Sequence, residues 1–332
     1  MSAQTVYSGP GKVRSTIATN PYNFHAEGEN GKVDLKILEK RDQRSTGTFG
    51  YIRSTLADQM AELTLTPFDS WALLPALFPT YLGVTTGSNT GALVIGTRPH
   101  DYAAGSVSGK AVTTVWTPDG RLYTLARSAI VQHPGMKLGV GQPLFDAMKI
   151  AGLWDAADAP GGTAANFLTN TESGSSDPDT VGFTPDFVNG HWTGAWAALT
   201  GFTAMEVEDF WQLQVQAKYS TLTIQKLSRH LKLDSVEFMI KGRLAGPTHT
   251  QILAKILAHT LGGALGEGTA ADLILTGPGS KTVTLKDCEI FLDNSGFEFG
   301  GTKLGTGEVA FVSRIDFSGS PDAPQPALIF SA

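Results

Sequence analysis

Seven histidines, close pairs of carboxylates, three clustered tryptophans and a single cysteine are the side chains on which chemistry would rest. The histidines (His25, His100, His133, His191, His230, His249 and His259) show no metal-ligand spacing. His100 beside Asp101 reads as a structural pair in a turn. Glu206 and Glu208 would be a glycosidase pair only if they flanked a bond, and two residues apart on one strand face they read as a solvated stripe. Trp192, Trp196 and Trp211 offer a sugar-stacking platform on paper, but Trp211 shares its face with core aliphatics. Asp177 and Asp179 bracket Pro178 in a loop and read as solvated rather than as a calcium site. No Gly-x-Ser-x-Gly elbow and no phosphate loop occurs, and the glycine clusters at 135–141 and 300–307 fall between strands. Cys288 cannot form a disulfide within the chain and reads as a buried apolar residue in mid-strand. The expectation is a protein that is not an enzyme and holds no cofactor and no metal.

The elements that would carry these residues are mostly short strands. Val33, Leu35 and Ile37 alternate with Lys32, Asp34 and Lys36, which predicts a strand over 32–38. Glu39–Thr48 is expected as a charged connection, too polar for a core strand. Strands follow over 49–55 and 58–66, and then a helix over 69–77 with Asp69-Ser70 as the N-cap signal and Pro79 behind it. Further strands are expected over 93–97, 111–116, 122–131 and 136–140. Pro118-Asp119-Gly120 marks a hairpin turn. Residues 143–153 are amphipathic and read as a helix or a last strand. Met205–Tyr219 has the clearest alternation, with Trp211, Leu213, Val215 and Ala217 against Gln212, Gln214 and Gln216.

The chain also echoes itself. Leu56–Pro79 recurs from Leu231 at a shift of 175 positions, placing Ala61-Glu62-Leu63 on Val236-Glu237-Phe238. Tyr123–Val131 recurs as Val283–Phe291 at a shift of 160, so Ser128 stands opposite Cys288. Both echoes lead into a strand ending in glycines, from Met136 and from Phe297. The expected organisation is a first domain over 1–155, a polar linker over 156–178, a second domain over 179–317 and an extended Pro-rich tail over 318–332. Each domain is expected to be a β-sandwich or barrel with a flanking α-helix, so the fold class is mainly β.

Composition agrees with packed domains: 332 residues, 41% hydrophobic and only 17% charged. A net charge of −6 leaves no basic footprint for tight nucleic-acid binding. Met1–Pro10 lacks the apolar core of a signal peptide, and no apolar run reaches the roughly 18–20 residues of a membrane span. No membrane partner is expected.

One family fits this order of motifs. Gly9-Pro10-Gly11-x-Val13, Phe49-Gly50-Tyr51-Ile52, a strand ending Leu63–Pro67 and a helix over 71–78 together resemble the tail tube proteins (major tail proteins) of long-tailed bacteriophages. The second half joins through the internal repeat. The resemblance implies a structural subunit of the virion tail, assembled in the host cytoplasm, whose tube folds close into rings of six around a DNA-conducting lumen. Two folds per chain then imply three chains per ring, with six chains per ring as the alternative. It implies self-association into stacked tubes, tail terminator and distal tail proteins as partners, and the tape-measure protein and DNA as transient occupants of the lumen. The lumen-facing candidates are Asp34, Glu206, Glu208, Gln212 and Gln214, a lining expected to repel phosphates. The ring-stacking candidates are Glu39, Lys40, Arg41, Asp42 and Arg44, with Lys218–Thr223 as their counterpart. A hub or distal-tail adaptor, and a carbohydrate-binding β-sandwich using the tryptophans, are the competing readings.

Overall fold

A computed structural model describes residues 12–17, 20–25, 32–42, 53–87, 90–99, 112–116, 121–125, 127–152, 168–172, 188–198, 204–224, 228–244, 270–292, 308–313 and 327–331. The first half supplies β1 (Lys12–Ile17), β2 (Asn20–His25), β3 (Lys32–Asp42), β4 (Arg53–Leu65), β5 (Val84–Thr86), β6 (Val112–Trp116), β7 (Arg121–Leu125), β8 (Ser128–Gln132), β9 (Met136–Gly139), β10 (Met148–Gly152) and β11 (Leu168–Glu172). The second half supplies β12 (Thr193–Trp196), β13 (Phe210–Ile224), β14 (Ser228–Arg243), β15 (Ala271–Thr276), β16 (Thr282–Leu292), β17 (Glu308–Ser313) and β18 (Leu328–Ser331). The fold is mainly β. A 3₁₀ turn over Trp71–Leu73 leads into the short helix α1 (Leu74–Leu77).

The strands form three sheets. One has the order β11-β7-β6-β1-β2, a second β3-β4-β10-β8, and a nine-stranded sheet runs β12-β15-β16-β17-β14-β13-β9 with β18 and β5 attached through β16. One pairing scheme occurs twice in them. The order β1-β6-β7-β11 of the first half has its match in β12-β15-β16-β18, and β3-β4-β10-β8 has its match in β13-β14-β17-β16. The registers agree as well as the orders. Leu125 pairs with Thr113 and Leu168, and 160 positions later Leu285 pairs with Leu273 and Leu328.

Two backbone irregularities recur at matching places. Arg127 and Asp287, again 160 apart, take left-handed backbone angles with φ of 48° and 45°. A non-glycine residue there is uncommon, and at both positions the chain passes from one sheet neighbourhood to another. In the first half the strand breaks into β7 and β8, whereas in the second it continues as β16. Each long hairpin also carries one extra residue in its second strand, Ala57 between the partners of Leu38 and Glu39, and Asp234 between those of Lys218 and Tyr219, 177 positions apart rather than the 175 of the sequence echo. Such a bulge bends and twists the ribbon locally.

Burial follows the alternation. Leu213, Phe238, Ile240 and Phe311 point into the core, while Gln214, Glu237 and Met239 point out. One apolar cluster extends through both halves, from Val13 and Phe24 to Phe311 and Phe330, so the two expected domains do not have separate cores. The join is aromatic. Trp71, at the start of the helical turn, stacks 6.1 Å from Trp192 and meets Phe330 edge-on at 5.7 Å. Gly277 presses against this group, since a Cβ there would lie 2.2 Å from the Trp192 ring. Trp192 is held by its Nε1 donating to the Val188 carbonyl at 3.2 Å and has little room to yield. We expect Gly277→Ala to cost about 1–3 kcal/mol, seen as a lower midpoint of thermal unfolding.

Several sequence expectations change. Glu39–Asp42 is strand, not connection, because β3 continues along β4 beyond the point where β10 stops pairing at Ala61. Polarity argued against a core strand, and a two-stranded ribbon has no core of its own. The expected linker contains β11, which pairs along the whole of β7. Residues 93–97 form no strand; a single bridge joins Leu93 to Leu82, and Gly96 and Thr97 bond to Leu233. Of the two readings for residues 143–153, the strand is the one found, as β10. The helical turn begins at Trp71 without a side-chain cap, since Asp69 instead accepts the Leu144 amide at 2.8 Å. The tail docks on its own chain, with β18 antiparallel to β16 and parallel to β5. The helix expected in the second half, with Ile252, Leu253, Ile256 and Leu257, lies outside the described residues.

Candidate functional site

The outward face of β13 and β14 is the surface the alternation singled out. Ladder pairing sets Gln212 opposite Lys241, Gln214 opposite Met239 and Gln216 opposite Glu237. Directly paired residues share a face, so Gln212 and Gln214 stand together there, as expected. Val312 pairs with both Met239 and Glu289, which carries this face across to β16. Asp34 pairs with Glu62 in the first hairpin and so takes the corresponding face of the four-stranded sheet.

Glu206 and Glu208 are placed differently. They precede β13, in a segment joined to its neighbours only by the bridges Met205–Gly194 and Val207–Leu244. Glu206 turns to His191, with Oε2 and Nε2 3.1 Å apart, and Glu208 lies 3.9 Å from Arg243. The acidic row expected from strict alternation is therefore partly neutralised where it begins. Two lysines of the same face are also matched, Lys137 by Asp146 at 2.9 Å and Lys241 by Glu308 at 4.0 Å. This face is rich in amides, and several of its charges are paired. Exposed pairs of this kind add little stability, but they leave few uncompensated cations to hold a phosphate.

The ring-stacking candidates Glu39, Lys40, Arg41 and Asp42 occupy the outer end of β3, paired with Leu56, Thr55, Ser54 and Arg53. Arg44 lies outside the described residues. The second hairpin forms the matching arm, with β13 paired to β14 as far as Ile224 and Ser228. Its apolar side does not stand free. Leu231 is buried with Ala129 and Ala151 of the first half, and Val131 and Tyr219 pack against that group.

A polar joint fixes that arm, and sequence spacing gave no sign of it. His133, buried between β8 and β9, contacts the Leu77 carbonyl through Nδ1 at 2.8 Å and the Tyr219 hydroxyl through Nε2 at 2.7 Å. A carbonyl only accepts, so Nδ1 carries the proton and Nε2 of the neutral ring accepts from Tyr219. The Tyr81 hydroxyl lies 3.4 Å from that of Tyr219. Burial lowers the His133 pKa to about 4, against a smaller opposing effect of the Leu77 carbonyl. Three elements meet at one ring.

The remaining chemical candidates recede. Trp192, Trp196 and Trp211 are all buried and present no platform. Cys288 is buried, donates to the Ala271 carbonyl at 3.0 Å, and has its thiol pushed up to about 12, chiefly by burial. Among the described residues no His, Cys, Asp and Glu cluster forms a metal site, and no helix is long and apolar enough to cross a membrane. No protein-family model and no curated protein matches this chain. The functional argument therefore rests on the geometry.

Proposed function

We propose that this chain is a structural subunit of a phage tail tube, carrying two copies of the tube fold and closing as three chains into a ring of six folds. The observation that supports it is the pairing scheme that occurs twice, in order, in register and in its left-handed residues and bulges. Each occurrence contains a long hairpin whose outer arm runs beyond the rest of its sheet. Arms of this kind, Glu39–Asp42 and Lys218–Thr223, serve as contacts between stacked rings, with the tail terminator and distal tail proteins at the tube's ends. The outward faces bearing Gln212, Gln214 and Asp34 line the lumen traversed by the tape-measure protein and DNA.

Sliding requires that the wall hold phosphates weakly. Protein–DNA affinity grows with the number of phosphates neutralised by free cations, because each releases counterions. Amides and ion-paired lysines release few. A carbohydrate-binding role loses its support with the burial of the tryptophans.

Electron microscopy of the purified protein tests this reading. We expect rings or tubes with six lobes around a central hole, built from three chains by particle mass. Six chains per ring would place one copy of the fold outside the lumen. Protein that stays monomeric at high concentration, and is absent from tubes when supplied with a tail initiator, would remove the tube role. A few copies per particle would mark a hub or adaptor instead.

A further inference from the structure

Just before β12, the chain is tied back to the first half through the side chain of Asn189. Gly141, in a left-handed turn with φ of 71°, donates its amide to Asn189 Oδ1 at 2.9 Å. The next residue is Gly190, and packing requires a glycine there, since a Cβ would lie 2.5 Å from the Pro278 ring. Among the described residues the Gly190 amide has no hydrogen-bond partner. Asn189 is exposed and lines a cleft with Asp69 and Lys137, so water reaches its carboxamide. One carboxamide thus has a donor on its oxygen, an unhindered amide beside it in the chain, and access to water.

We infer that Asn189 is a site of self-modification: its carboxamide loses ammonia to the Gly190 amide, and the residue becomes aspartate or isoaspartate. The Gly190 nitrogen gives up its proton and attacks Asn189 Cγ, forming a C–N bond and closing a five-membered imide ring. The Cγ–Nδ2 bond breaks, and the amino group takes up a proton and leaves as ammonia. Water then opens the ring. Cleavage of the new bond at Cγ gives aspartate, and cleavage of the original peptide bond leaves the main chain running through Cγ as isoaspartate. Negative charge develops on Oδ1 as the nitrogen adds, and a donor already aimed at that oxygen stabilises it. Glycine has no Cβ to hinder the attacking nitrogen. The products differ in effect. Aspartate keeps an oxygen for Gly141 and holds it by a charge-assisted bond. Isoaspartate adds one carbon to the main chain between Val188, whose carbonyl holds the Trp192 indole, and Gly190, which lies against Pro278. That product loosens the aromatic joint of Trp71, Trp192 and Phe330 as the protein ages. The inference stands whether or not the chain assembles.

Peptide mapping by mass spectrometry of the full chain reads the site. Asn30→Gln is carried throughout, to remove the other Asn-Gly pair of the sequence. Folded protein and protein unfolded in guanidinium chloride are incubated side by side at mildly alkaline pH, where the attacking amide loses its proton more readily. We expect the folded protein to convert Asn189 at least as fast as the unfolded chain, because only the fold sets the Gly141 donor on Oδ1. A folded rate below the unfolded one would show that the fold protects the carboxamide, and would overturn the inference. Thermal unfolding then separates the products. Asn189→Asp should keep the native midpoint, whereas aged protein rich in isoaspartate should melt several degrees lower. Aged and fresh protein melting together would show that the joint absorbs the added carbon, and would overturn the ageing step.

Discussion

Trp211→Ala lowers the stability of the protein by about 3–5 kcal/mol, read as a lower urea midpoint at unchanged slope. The indole is fully buried, and its ring lies 6.4 Å from that of Phe311. Two glycines make the space for it. A Cβ on Gly194 or Gly242 would each lie 2.8 Å from the indole carbons, so strand backbone walls the ring at those two points. Backbone held in a ladder does not relax into a void, and the residual cavity sets the size of the loss. One effect acts the other way. The indole Nε1 has no hydrogen-bond partner, and truncation removes that unsatisfied donor, a relief of about 1–3 kcal/mol in general. The lower part of the range is accordingly expected. Trp211→Phe removes the same donor but keeps a ring, so it should lie close to the native protein. Equal losses for the two variants would show that the ring kept by phenylalanine fills none of the space and that the residual cavity does not set the loss. Trp211 also pairs with Leu138 of β9, so the alanine variant loosens the junction between the halves and should assemble poorly.

That tryptophan shows what a sequence pattern conveys and what it omits. Alternation placed Trp211 with Leu213 on the buried side of one strand, and the structure puts both at 0% exposure. The self-similarity at a shift of 160 predicted which residues would correspond, and Arg127 and Asp287 share their rare backbone angle at that spacing. Both signals are local or periodic, which is why they are legible. The glycines around the ring are not. Gly194 and Gly242 meet at Trp211 only because β12, β14 and the strands between them fold into one sheet, and no spacing in the sequence encodes that meeting.

The errors have the same origin. Glu39–Asp42 was too polar for a core, and the inference to a connection failed because a ribbon paired on one side accepts charge on both faces. β11 lies in a small, polar stretch without alternation, and its place comes from β7, whose open edge it completes. The lumen candidates divided for a similar reason. Gln212 and Gln214 belong to a continuous ladder and kept their common face, whereas Glu206 and Glu208 precede it and took the partners His191 and Arg243. Periodicity holds only as far as the ladder does.

His133 was invisible to the sequence and carries the second large effect. Its ring is neutral in the fold, since Leu77 takes the one proton and Tyr219 supplies one to the other nitrogen. Protonation would place a second N–H against Tyr219, whose own proton must then turn toward Tyr81, inside a pocket that burial keeps from water. The folded pKa of about 4 lies below the 6.5 of the unfolded chain. Between those values the unfolded state binds more protons, so stability is fully present above pH 6.5 and is lost as pH falls toward 4. The shift corresponds to a loss on the order of 3 kcal/mol across that window. Carboxylates titrate at its lower end, so the informative quantity is the difference from His133→Gln, which keeps a donor and an acceptor but does not titrate. The native protein should lose stability from pH 6.5 to 4 more steeply than this variant by that amount, in urea unfolding series at each pH. Parallel curves would show that the imidazole is protonated without penalty and that the joint between α1, β8 and β13 is held by packing alone.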